Sequence, residues 1–314
     1  MAPRSQYGVP PTSVVAEAVP VPAPRSPRER EWVTLLRRLV RRRTALFGAA
    51  VVVAVMLAAA LAPLVSPFDP LEQDIGQRLK EPGWQDAQGR VHALGTDHLG
   101  RDILSRIVFG SRIALVVGLA AVVISGVLGM VIGLVAGYFG GRVDDILMRL
   151  ADIQLAFPFI LLAIGIIAVL GPSFPTLIVV IGLSGWVTYA RVLRSQVLVL
   201  RSREFVDAIH ALGGSVARVI ARHILPNVLS SLVVIATLEL ARAIVLEATL
   251  SFLGLGIQPP TPSWGGMVQE GREYLDSAWW ISTFPGLVLM VTSIVVSRTG
   301  DWLRDVLDPT LRGE

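Results

Sequence analysis

Residues 204–227 read EFVDAIHALGGSVARVIARHILPN, a polar stretch between two long apolar runs. Ionisable side chains at this density are too costly to leave in hydrocarbon. The stretch must therefore project from the membrane that its flanks imply. Its pattern predicts a short helix over about Phe205–Leu212, a turn, and a second helix. Glu204, Asp207, Ala208 and Ala211 would face a partner, the small alanines letting its surface come close. Gly213-Gly214 permits the sharp turn that ends the first helix. Pro226 is expected to separate the loop from the next span. A rigid projection of this kind can carry a rigid-body motion from a soluble motor into a helical bundle. The plainer alternative is an amphipathic surface helix.

Composition agrees with the membrane reading. The 314 residues are 53% hydrophobic and 17% charged, with a mean hydropathy of +0.63, whereas soluble domains carry about 25% charge. Cysteine is absent, which excludes disulfides, thiolate metal sites and cysteine nucleophiles. The net charge is +4 and Lys80 is the only lysine. With no basic module interleaved with aromatics, the arginine excess is a topology signal and points to no nucleic-acid partner.

About 20 apolar residues cross a ~30 Å hydrocarbon core. On that scale the chain predicts an all-α membrane protein with six transmembrane helices, over 44–65, 113–138, 146–170, 176–193, 228–253 and 279–296. Residues 1–43 read as a disordered, basic tail with an amphipathic helix over 32–43. The first apolar run is longer than a signal-peptide core, so it reads as an uncleaved span. Residues 66–112 form an external loop, 113–300 a core of five helices carrying the 204–227 loop, and 301–314 a cytoplasmic tail. Arginines at 37, 38, 41, 42 and 43, and again at 191, 194, 201 and 203, place both termini and the loop in the cytoplasm. Gly129, Gly133 and Gly137 form a small-residue groove for a second helix. Pro158 predicts a kink in the third span.

The fifth span holds Glu239, Arg242 and Glu247. Intramembrane charges face a bundle interior or a water-filled path. Glu239 and Arg242, three residues apart, can pair on one face. The three residues are thus an intramembrane ion pair or the lining of a translocation path. Signals for catalysis are missing: no paired nucleophile and base, no HExxH, no Gly-x-Ser-x-Gly. Asp97, His98 and Asp102 are metal-ligand types, but they read as a structural external segment and no metal is assigned. The lone Lys80 lies in no phosphate-binding glycine loop, so this chain carries no P-loop for nucleotide hydrolysis.

The 204–227 stretch resembles the cytoplasmic motif of bacterial ABC importer permeases: Asp207-Ala208-Ile209 stands at its acidic-Ala-Ala triplet, Gly213 at its glycine, and Leu225-Pro226 at its end. Asp207, Ile209 and His223 depart from the usual Glu, Ala and Ile. Two further segments, Leu94–Arg112 (LGTDHLGRD, then Ser105-Arg106 and Gly110-Ser111-Arg112) and Ser251–Gly265 (SFLGLG, QPPTP, WG), resemble the C-type permeases of dipeptide, oligopeptide and nickel importers. The resemblance spans about Leu64–Arg312. It implies a type I importer permease in the bacterial cytoplasmic membrane. The implied partners are a second homologous permease, two cytoplasmic ABC ATPase subunits or domains, and an external substrate-binding protein. It further implies no cofactor on this chain, with ATP and magnesium at the ATPases, and a short peptide as cargo. Nickel or another small solute is the alternative cargo. A proton-coupled secondary transporter using Glu239 and Glu247 is a more distant reading.

Overall fold

The computed structural model describes residues 43–307, with side chains over 46–305. The expected disordered tail, its amphipathic helix and the end of the C-terminal tail lie outside the described residues. The first helix, α1 (Arg43–Ala60), is followed by a single turn, Ala62–Val65, that opens on Pro63. A two-residue hairpin, β1 (Trp84–Gln85) with β2 (Val91–His92), lies in the next loop. Then come α2 (Ile103–Phe139), α3 (Gly141–Ala156), α4 (Phe159–Leu170) and α5 (Phe174–Arg201). The short α6 (Glu204–Ala211) leads to α7 (Val216–Phe252), then α8 (Trp264–Gly271) and α9 (Trp280–Leu307).

Four of these helices, α2, α5, α7 and α9, are long and apolar enough to cross a membrane. Of the other two expected spans, the first is a shorter apolar helix, Leu46–Ala60. The third is a broken pair, α3 and α4, bent by 88°. The break falls at Phe157-Pro158, where the backbone is extended on both residues. The proline thus ends one helix and starts another, a sharper event than a kink. The predicted ends also shift. Asp102 caps α2 by accepting from the Ser105 N–H, so the second span starts ten residues before Ile113. The sixth runs to Leu307 instead of stopping at Val296.

The register of α2 on α5 fixes the chain's path. A Cβ on Gly129 would lie 2.4 Å from the Trp186 carbonyl oxygen, on Gly133 2.7 Å from that of Ala190, and on Gly137 2.8 Å from that of Arg194. Each four-residue step on α2 meets a four-residue step on α5 in the same direction, so the two helices run parallel. The chain between them must return to the starting side, and the bent α3–α4 pair is that return. Three apolar clusters mark successive levels. Ile103, Met267 and Trp280 lie at one end, Val117, Ala163, Ile181 and Ala243 in the middle, and Leu134, Leu193, Val206 and Val228 at the other.

Candidate functional site

Helix α6 has the geometry of a docking element. Val206 is 2% exposed and packs with Tyr138, Leu193, Val197 and Ile224. Glu204, Asp207, Ala208 and Ala211, spaced i, i+3, i+4, i+7, all lie on the exposed side. The two carboxylates sit in the first turn, where the helix dipole favours negative charge. His210, in the last turn, places Nε2 2.9 Å from the Tyr138 hydroxyl and so ties α6 to the end of α2. The helix ends in a Schellman motif: the Gly213 N–H donates to the His210 carbonyl and the Gly214 N–H to that of Ile209, both at 2.9 Å. Gly213 has φ +80°, the left-handed region that disfavours other residues, although a Cβ there would meet nothing. At Gly214 a Cβ would meet the Ile209 side chain at 2.4 Å. The exposed face is therefore presented on a rigid corner.

Pro226 plays a different part from the one expected. The helix does not stop there: Val216–Phe252 is continuous over 37 residues. A π turn over Ile220–Ile224 precedes the proline, and the Asn227 side chain donates to the His223 carbonyl. A widened turn and a side-chain donor let the helix carry a proline without breaking. The loop is separated from its neighbours at Gly213-Gly214, and the segment after it is already the fifth span.

The three membrane-embedded charges of that span divide into two groups. Glu239 and Arg242 pair, with the Arg242 Nη1 3.3 Å from a Glu239 carboxylate oxygen. Glu239 also lines a cavity of about 560 Å³ between α5, α7 and α9. Polar groups of Thr188, Gln196, Ser230, Ser231 and Arg304 share this cavity with apolar Val192, Val234, Ile235 and Leu238. Glu247 is not with them. It is fully buried and accepts from the Ser251 hydroxyl at 2.7 Å, and Ser251 also accepts from the Ile257 N–H. Glu247 thus anchors the loop after α7 and takes no part in the Glu239–Arg242 pair.

Several partners had no counterpart in the sequence reading. Arg194 donates through Nε and Nη2 to the two carboxylate oxygens of Asp144, joining α5 to the start of α3. Arg191 pairs with Asp152 one turn away. Arg304 belongs to α9 and not to a separate tail over 301–314; only the helical period running past Val296 signals this. The external segment is an ion-pair cluster. Asp97 accepts from Arg101 at 2.7 Å and from Arg106, while Glu270 of α8 accepts from both at 2.8 Å. Asp97, His98 and Glu270 bring ligand-type atoms within 4.8 Å of one another. Two buried guanidiniums already neutralise the carboxylates, so the cluster is structural. Asp102 caps α2 and pairs with His92 at 2.9 Å, apart from this group. Trp264 closes the other motif: its indole N–H donates to the Ile107 carbonyl at 2.9 Å, and a Cβ on Gly110 would strike its ring at 2.8 Å.

Residues 129–313 match the family described as binding-protein-dependent transport system inner membrane component, and residues 31–82 match the N-terminal transmembrane domain of oligopeptide transport permease C. The di/tripeptide transport system permease protein DppC of Pseudomonas aeruginosa is 41% identical over 268 residues, 85% of this chain and 88% of its own. The dipeptide transport system permease protein DppC of Escherichia coli is 40% identical over 296 residues, 94% and 97% of the two chains. Among solved structures, a chain from inward-facing conformations of the MetNI methionine ABC transporter aligns with a TM-score of 0.46 and 20% identity, covering 61% of this chain and 94% of that one.

Proposed function

The chain belongs to the family of binding-protein-dependent transport system inner membrane components, and from that premise we propose that it is the permease subunit of an ATP-driven importer of short peptides. The exposed, rigidly cornered face of α6 is the observation that carries the coupling role. It is tied to α2 through His210 and Tyr138, and only the tight Gly213-Gly214 corner separates it from α7. A push on α6 therefore reaches two membrane-crossing helices directly. The push comes from a cytoplasmic ABC ATPase that hydrolyses ATP with magnesium. A second, homologous permease completes the path, and an external binding protein delivers the peptide. Alternating access follows when the two halves rock about the closed and open states of the ATPases. Both termini and α6 face the cytoplasm, as the arginine distribution implies. The peptide names of the relatives support peptide as cargo.

Purification from native membranes tests the assembly. The unmodified chain should bring down an ABC ATPase and a second permease. Asp207→Arg with Gly213→Pro should lose the ATPase and keep the permease, because α6 alone is altered. Equal ATPase recovery with both forms would place the coupling surface elsewhere.

A further inference from the structure

The cavity between α5, α7 and α9 has a feature that packing does not explain: a carboxylate and a guanidinium of different helices line one largely apolar chamber. Glu239 contributes the carboxylate and Arg304 the guanidinium. Arg304 is exposed and forms no ion pair among the described residues. Its guanidinium is therefore free to take a ligand carboxylate. The volume, about 560 Å³, falls within the range of small-molecule sites, roughly 300–1,000 Å³.

The axial offset of the two residues follows from the helix contacts. Gly300 of α9 abuts Thr237 and Leu238 of α7, where a Cβ would lie 2.8 and 3.0 Å from their side chains. Val288 and Leu289, earlier on α9, pack in a cluster with Ile244, later on α7. The two helices are therefore antiparallel. Arg304 lies one turn beyond the Gly300 contact and Glu239 just past it in the opposite direction. At 1.5 Å of rise per residue the two are about 8 Å apart along the helices. An extended di- or tripeptide spans roughly 7–11 Å at 3.3–3.6 Å per residue, with an ammonium at one end and a carboxylate at the other.

We infer that this cavity is a binding site, within the permease, for a zwitterionic di- or tripeptide: its ammonium on Glu239, its carboxylate on Arg304. This rests on the peptide-importer reading and adds a specific site to it. Glu239 is already available in part, because its pairing with Arg242 is long, at 3.3–3.4 Å. Gln196 and Ser231, themselves bonded at 2.6 Å, offer amide and hydroxyl groups to the peptide backbone. Val234 and Leu238 give an apolar wall that accepts varied side chains without selecting among them. The site thus recognises what all short peptides share.

The absence of cysteine from this chain lets an introduced thiol be read on this subunit alone. The assembled transporter carries Ser230→Cys in this chain, and maleimide labelling of that thiol is followed as trialanine is added. Trialanine should slow labelling about tenfold, and trialanine with an amidated C-terminus should need about tenfold more peptide for the same effect, the size of one lost charged hydrogen bond. Arg304→Gln should remove the distinction between acid and amide, and Glu239→Gln that between free and N-acetylated trialanine. A structural role for either residue would change assembly without touching these distinctions. Val234→Cys supplies a second thiol should Ser230→Cys impair assembly. Unchanged labelling, in a complex that still accumulates trialanine with ATP, would overturn the site and leave the importer reading standing. No ATP-driven uptake of any short peptide by the unmodified complex would remove the importer reading, and the site with it.

Discussion

Asp97 shows how a single residue organises the segment before the second span. Its carboxylate accepts from the Leu99 and Arg101 N–H groups and from the Arg101 and Arg106 guanidiniums. Burial works to raise its pKa, but the charges of Arg106 and Arg101 outweigh burial and hold it below its ordinary 3.8. A carboxylate depressed in the folded state contributes stability above its ordinary pKa and loses it as pH falls through the folded value. Acidification below about pH 4 should therefore lower the unfolding temperature of the detergent-solubilised protein. Asp97→Asn should be less stable at neutral pH and show a flatter acid limb. Parallel acid limbs in the two proteins would mean that Asp97 is not the group responsible. The LGTDHLGRD motif was recognisable by resemblance, but its physical reason was not. Glu270, which completes the cluster, is 164 residues from Arg106, beyond any local pattern.

Between elements, the parallel contact of α2 with α5 sets the bundle's spacing. Gly133 has no room for a side chain: a Cβ would be 2.7 Å from the Ala190 carbonyl and 3.0 Å from Leu193. Gly133→Leu should cost at least the 1–3 kcal/mol or so of an overpacked core, read as a lower unfolding temperature or failure to assemble. Gly165→Ala on α4 is the control, since nothing lies within 4 Å of a Cβ there, and it should match or slightly exceed the parent. Equal stability of the two variants would show that the small-residue stripe does not set the helix spacing. The stripe was legible because its four-residue period is a property of sequence alone. The path through Pro226 was not. A proline in a helix ordinarily predicts a boundary, and the π turn and Asn227 that relieve it act only once the helix exists. The 88° break in the third span was likewise visible only as a proline.

For the molecule as a whole, hydropathy made the long apolar spans α2, α5, α7 and α9 legible, because burial in lipid acts on each segment separately, whereas two of the six expected spans are a shorter helix and a bent pair. The cavity was invisible, since Glu239 and Arg304 are brought together by the packing of α7 on α9. Glu247 parts company with Glu239 because eight residues, about 12 Å of helix, separate them, and its partner is Ser251 on the same helix. Whole-molecule function rests on one claim: that force applied to α6 drives peptide movement through the bundle. Reconstituted into liposomes with its ATPase, second permease and binding protein, the complex should accumulate trialanine only when ATP is supplied. Asp207→Arg with Gly213→Pro should abolish that accumulation while leaving the chain inserted. Accumulation by the purified chain alone under a proton gradient, or undiminished ATP-driven uptake by the α6 variant, would contradict the account.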